Sequence, residues 1–522
     1  MDLTNPEPTR RRARRVFRKL LLLVLVITVP LVVAAVITFT VAYNDADHTN
    51  VGQLSFDNPV AVPPVLEPRV DAEGRKHFDL DLRTGERELL PGRRTETWGV
   101  NGDFLGPTIR VRTGDQVAMH VSNHLPESST LHWHGMRLPA RMDGGPHQQI
   151  DTGATWSPEW TVKQQAASLW YHPHQHGTTA AHVYRGVSGM FLIDDENSAL
   201  LPNDYGVDDV PLIVQDKRFH DDGRLDDEPL GALSRTVGAE PTGILGDHIF
   251  VNGTRDPHFT VTATHTRLRI LNGSNARIYH LGFTDDRPFQ VVGTDSGLLP
   301  APVEASRVVV SPGERIELVV AMRPGQETVL RSFPGGIGTG FPDTRFAGAD
   351  DTFDIIQLRA AESLRPTSVP DSLPVEPPIE PPADAKVRTF DLGGQQNING
   401  QLMDLTRIDQ VIPAGATEIW EINAGGPPHS FHIHDVAFRI LSLDGQPPPA
   451  WQAGRKDTVY LQPGTTVRVA VQFGTDVDEK TPYMYHCHLL FHEDNGMMGQ
   501  FVIVEPGRED EVSTTVTTHA GH

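Results

Sequence analysis

Four short histidine motifs hold the chemistry this chain can do. They are Leu131-His132-Trp133-His134-Gly135, then Tyr171-His172-Pro173-His174-Gln175-His176-Gly177, then His429-Ser430-Phe431-His432-Ile433-His434, and last Tyr485-His486-Cys487-His488, which is followed by His492 and Met497. Side chains alternate along a strand, so each His-x-His presents two imidazoles on one face. The pairs His132/His134, His172/His174, His432/His434 and His486/His488 make eight imidazoles. No single ion needs eight, whereas three ions sharing them, with positions left open, account for the number. Imidazole suits copper among the transition metals. One isolated pair is usually structural, but four pairs split between two distant parts of one chain are hard to reach by chance.

Cys487 is the only cysteine, so an intrachain disulfide is excluded. A lone cysteine is usually a small buried hydrophobe, but this one stands between two of the histidines. Alternation sends its sulfur to the face opposite His486 and His488. There it can join His429, His492 and Met497. Two imidazoles, one thiolate and a thioether are the ligands of a blue-copper electron-transfer site, with methionine as the long axial ligand. Met498 adjoins Met497, which is the preferred candidate. Three consecutive residues would then link an electron entry site to an oxygen site.

The motifs must be positioned by strands, and the chain repeats the means of doing so. Val100-Asn101-Gly102, Val251-Asn252-Gly253 and Ile398-Asn399-Gly400 each lead into a strand-like run, with starts 151 and 147 residues apart. So long a period means repeated domains rather than a solenoid. Asn-Gly is a strong turn signal, and the alternation of Val117, Met119 and Val121 has period two. The length of 522 residues suits about three domains of roughly 150, and 47 Gly with 42 Pro fit an all-β, turn-rich protein. Three β-sandwiches are expected, at 68–199, 200–359 and 386–506. Residues 44–67 are expected to approach the first, and 360–385, which hold seven prolines, to link the second and third. The polar tail, 507–522, is expected to be disordered, with His519 and His522 solvated.

The first 19 residues carry seven basic and two acidic side chains. Leu20 to Tyr43 then runs for 24 residues without a charge. As a helix it would be about 36 Å long, enough to cross the bilayer with some tilt. Pro30 is tolerated in such helices. The basic flank keeps 1–19 cytoplasmic and places the rest outside. The alternative is a removed export signal, but signal cores run about 7–15 residues, and Thr40-Val41-Ala42 is a poor cleavage site. Arg14-Arg15-Val16-Phe17 partly resembles a twin-arginine export signal. The net charge of −22 becomes −27 once the leader's +5 is set aside, which argues against nucleic acid as a partner.

In these motifs the chain resembles the bacterial multicopper oxidases, the group of laccases, bilirubin oxidases and copper-efflux oxidases. The resemblance covers roughly residues 70 to 505. It implies three cupredoxin-like Greek-key sandwiches and four copper ions, with the oxygen-reducing cluster between the first and third domains. It assigns His132 and His432 to type 2 copper. It gives His134, His172 and His488 to one type 3 copper, and His174, His434 and His486 to the other. Cys487, His429, His492 and Met497 fall to type 1. His176 is expected to support the shell by hydrogen bonding. Asp143 and Glu493 are expected to supply protons for oxygen reduction, which needs general acids near the cluster. The implied partners are O2 and a small electron donor, with the protein a monomer.

The donor is expected to be phenolic. Relatives that oxidise Cu(I) typically carry a methionine-rich insertion, since thioether is a soft ligand. This chain has ten methionines, clustered only at Met497-Met498, and Gly425-Gly426-Pro427-Pro428 before His429 offers no metal donor. Oxidation of Cu(I), Fe(II) or Mn(II) is the alternative. A further alternative is a non-enzymatic copper-binding or structural envelope role, as in relatives that have lost their coppers. The glycine-rich run from Pro334 to Gly340 is a candidate loop near the entry site.

Overall fold

The architecture comes from a computed structural model that describes residues 7–229 and 242–516. Six sheets among the described residues pair into three sandwiches. The first has sheets of six and four strands, the second of six and seven, the third of five and five. The all-β expectation holds. Each sandwich encloses its own apolar core, with Val117, Met119 and Val121 buried in the first as alternation requires.

The repeat is visible as a wedge used three times. Asn101, Asn252 and Asn399 all adopt left-handed backbone, with φ of 56°, 51° and 55°. Asparagine tolerates that conformation because its short side chain can bond locally. Each side-chain oxygen accepts from the backbone N–H of a neighbouring strand, at Asp81, Ile213 and Asp391, always at 2.7 Å. Each side-chain N–H donates to a carbonyl two residues earlier on that strand, at Asp79, Pro211 and Thr389.

The N-terminal helix spans Glu7–Asp45. Its stretch Arg12–Asp45 is long and apolar enough to cross a membrane. Residues 44–67 lie along the middle sandwich more than the first. Asn58 and Pro59 pair in parallel with Pro257 and His258, and Val65 reaches Thr108 of the first sandwich. The tail differs from expectation as far as Val516. Ile408 N–H donates to Thr514 O, and Val516 N–H to Thr406 O. Val512 and Val516 pack against Ile408, Val502 and Val504, which gives this short stretch an apolar footing. His519 and His522 lie outside the described residues.

Candidate functional site

Register places the donors. His132–His134 pairs antiparallel with Ala167–His172, setting His132 opposite His172 and His134 opposite Trp170. In the third sandwich His432 stands opposite His486, and Phe431 opposite Cys487. Alternation therefore turns His432 and His486 towards the first sandwich. Cys487 turns inward, into the apolar cluster that also holds Phe431 and Met497.

The eight imidazoles of the four pairs are all buried. The Nε2 atoms of His174, His434 and His486 form a triangle with sides of 3.1, 3.2 and 3.3 Å. His134 Nδ1 lies 3.3 Å from His172 Nε2. The His488 ring centre is 4.9 Å from that of His134 and 5.3 Å from that of His172. Other triads are also compact, among them His132 with His134 and His172, and His132 with His432 and His434. Proximity alone thus leaves the division of the eight among ions open.

Proton positions make these nitrogens suitable donors. His132 Nδ1–H donates to Asp143 O at 2.9 Å, and His432 Nδ1–H to Asp457 O at 2.8 Å. A carbonyl only accepts, so each Nδ1 carries the proton and each Nε2 keeps a lone pair. Both Nε2 atoms are buried without a hydrogen-bond partner among the described residues. Burial pushes His134, His172, His174, His432, His434 and His488 towards the neutral form, the form that binds metal. His174 and His488 fall to about 3, by burial first and then by neighbouring charges that include the His486 imidazole.

A second donor set lies on the other face of the Cys487 strand. Cys487 Sγ is 3.5 Å from His429 Nδ1 and 3.5 Å from His492 Nδ1. Burial pushes the thiol up to about 12, so a thiolate there requires a cation. Met497 is tied to the same turn, its carbonyl accepting from Cys487 N–H at 3.1 Å. Both sets therefore fit copper by donor type and by burial.

The two carboxylates are buried and hold histidine Nδ1 atoms. Asp143 Oδ2 is 2.7 Å from His434 Nδ1, and its Oδ1 is 3.4 Å from His132 Nδ1. Glu493 lies between His174 and His486, at 3.4 and 3.1 Å from their Nδ1 atoms. Burial opposes ionisation of Glu493, but those two imidazoles outweigh it and hold the carboxyl well below the usual range. His176 makes no side-chain hydrogen bond among the described residues and its Nδ1 is buried unpartnered, so the hydrogen-bonding role expected for it is not seen. It lies on the loop after the strand, where alternation no longer directs it inward.

Asp457 was not foreseen from sequence. Its carboxylate is 3.2 Å from His134 Nε2 and accepts from Thr458 Oγ1 at 2.8 Å. It pairs with Arg315 of the middle sandwich, whose guanidinium also donates to Ser168 O of the first at 2.9 Å. Burial would raise Asp457, and Arg315 holds it below the carboxylate range. The middle sandwich has no motif of its own, yet all three units meet at this one guanidinium. Its Gly313 also sits under His488: a Cβ there would stand 2.9 Å from the ring. Arg315→Met would leave the Asp457 charge uncompensated, which costs about 3–5 kcal/mol. The expected outcome is a lowered thermal midpoint and loss of metal from the histidine cluster, read by calorimetry and elemental analysis, with Arg315→Lys milder.

Comparison with known proteins places the chain. Residues 81–198 and 376–507 match two family models, both described as multicopper oxidase. The multicopper oxidase mco of Staphylococcus aureus is 33% identical over 461 residues, 87% of this chain and 95% of that one. The cell division protein FtsP of Escherichia coli is 37% identical over 454 residues, 85% and 92% of the two chains. A laccase from Pediococcus acidilactici superposes with a TM-score of 0.76 at 34% identity, covering 86% of this chain and 94% of that one. Fold, motifs and relatives agree: this chain belongs to the multicopper oxidase family.

Proposed function

We propose that the chain is a four-copper oxidase. It takes single electrons from a small phenolic donor and passes four to O2, forming two waters. The observation that supports this best is the pair of buried donor sets on opposite faces of one strand, with Cys487 on one face and His486 and His488 on the other. In this reading Cys487, His429, His492 and Met497 hold type 1 copper. His132 and His432 hold type 2. His134, His172 and His488 hold one type 3 ion, and His174, His434 and His486 the other. When bound, the coppers supply one-electron redox steps and open positions for oxygen.

The protein's own groups do the rest. Carbonyls at Asp143 and Asp457 fix the Nδ1–H of His132 and His432 and aim their Nε2 atoms inward. Such outer partners set ring orientation and raise ligand basicity. Asp143 stands against His434 Nδ1 and Glu493 against His174 and His486 Nδ1, and as buried carboxyls beside the cluster they supply the protons that oxygen reduction consumes. Burial of every imidazole in the cluster excludes bulk water.

The N-terminal helix anchors the protein, with its basic end inside and the sandwiches outside the cytoplasm. Its exposed apolar surface motivates this, because no residue of its most apolar window is covered by the rest of the chain. A structural role in the envelope is the second reading, prompted by the relative named a cell division protein. Metal content separates the two. Copper-loaded, purified protein is expected to hold four coppers per chain by elemental analysis and to take up oxygen with a phenol. One copper or none would end the oxidase reading. Uptake with Cu(I), Fe(II) or Mn(II) in place of phenols would move the substrate to metal ions.

A further inference from the structure

The last two turns of the N-terminal helix are docked. Ala42 is fully buried, and Phe39 and Tyr43 turn the same face onto the middle sandwich. The Phe39 and Tyr43 rings lie 6.4 and 5.6 Å from Phe341, and 6.3 and 6.1 Å from Phe346. Arg345 stands 5.0 Å from the Tyr43 ring centre and pairs with Asp47. Beyond the helix, His48 N–H donates to Asp351 and Asn50 bonds the backbone of Asp354, so the exit is held on both sides.

The docked turns set the height of the molecule. Leu20 to Ile37 has every residue exposed. As a helix it is about 27 Å long, close to the ~30 Å of bilayer hydrocarbon. Phe39 and Tyr43 then fall at the outer interface, where aromatic rings are enriched. Phe341, which is 75% exposed beside them, falls at the same level.

The segment they touch is also the wall of a cavity. Asp343, Phe346 and Ala347 line one side of a space of about 370 Å³, and Gly426, Pro427 and Pro428 the other. That volume suits a small organic molecule. Pro428 is the residue before His429. The glycine-rich run joins the same wall, because Tyr460 O–H, on the strand paired with His429, donates to Ile337 O. Phe346 thus has the anchor on one side and the cavity beside His429 on the other.

We propose that the electron donor arrives from the bilayer, as a lipophilic hydroquinone whose ring enters this cavity while its tail stays among lipid. The proposal rests on the anchored-oxidase reading. Three prolines, Ala347 and Phe346 supply the apolar part of the walls, two threonines add hydroxyls, and Asp343 is their one carboxylate. An aromatic diol suits such walls. A metal-ion donor would want several carboxylates or thioethers. Each hydroquinone loses two electrons, one at a time, through His429 and Cys487. It loses two protons, one to Asp343, which passes it to water, and the other to water directly. Two hydroquinones and one O2 give two quinones and two waters.

The test uses the full chain, loaded with copper and placed in phosphatidylcholine vesicles. Phe341→Cys carries an environment-sensitive fluorophore, since Cys487 is buried. Its emission is expected to shift blue and to be quenched by lipid nitroxides near the headgroups. A long-tailed hydroquinone in the bilayer is compared with unsubstituted hydroquinone in water. A ten-residue Gly/Ser insertion after Asp45, combined with Phe39→Ser and Tyr43→Ser to release the docked turns, is expected to cut the long-tailed rate about tenfold, as effective concentration falls, and to spare the water-soluble rate. Equal effects on both rates, or a label that stays in water, would overturn the inference and leave the oxidase reading intact. Absence of both rates together with absence of copper would overturn the two together.

Discussion

Cys487→Ser is expected to abolish the intense blue absorption of the copper-loaded protein and nearly all turnover, while the histidine cluster keeps its metal. The absorption arises from charge transfer between thiolate and copper, and serine offers no such donor. The sulfur lies 3.5 Å from each of two imidazoles, and its two chain neighbours point into the other set. Removing it therefore cuts the path without removing a cluster histidine. Serine is close in size, and the site lies within a packed core, so the fold should persist. Absorption spectra and copper analysis of the variant give the answer. A serine variant that stayed blue would refute the assignment of Cys487.

Asp143→Asn and Glu493→Gln should each slow reoxidation of the reduced enzyme by O2. The expected loss is about 10²–10⁴, the usual worth of a positioned proton-transfer group. Both amides keep the shape and an oxygen beside histidine Nδ1, but neither can carry a proton. Reduction by the donor should be almost unchanged, because protons are needed only after electrons reach the cluster. Single-turnover mixing separates the two phases. Glu493 grips His174 and His486 together, whereas Asp143 bonds most closely to His434. The two losses therefore need not be equal. Reoxidation at the parent rate would withdraw the role of that residue. A slowed first electron transfer in Glu493→Gln would instead point to disturbed geometry at the neighbouring His492.

The donor sets were legible because they depend on alternation, which a strand imposes whatever surrounds it. The Asn-Gly turns were legible for a similar reason: a left-handed backbone position favours few residue types. Asp457 was not. It is 23 residues beyond His434 in the chain and has no histidine neighbour, so only sheet register brings it to His134 and His432. Arg315 was hidden in the same way, since nothing local marks a buried arginine that serves a neighbouring domain. Phe39 and Tyr43 read as ordinary membrane residues, because their partners at Phe341 and Phe346 are some 300 residues away. The final valines, Val512 and Val516, were too few to signal a packed tail.

The asparagine wedge found in all three sandwiches carries a historical meaning. Its side chain makes the same two bonds to the same part of each unit, and nothing in the chemistry of electron transfer demands this of the middle one. Shared construction without shared function is what descent from one ancestral unit leaves behind. Three units share this wedge, and the outer two hold the donor motifs. The middle one, which holds none, acts as a keystone, because its Arg315 bonds to both of the others.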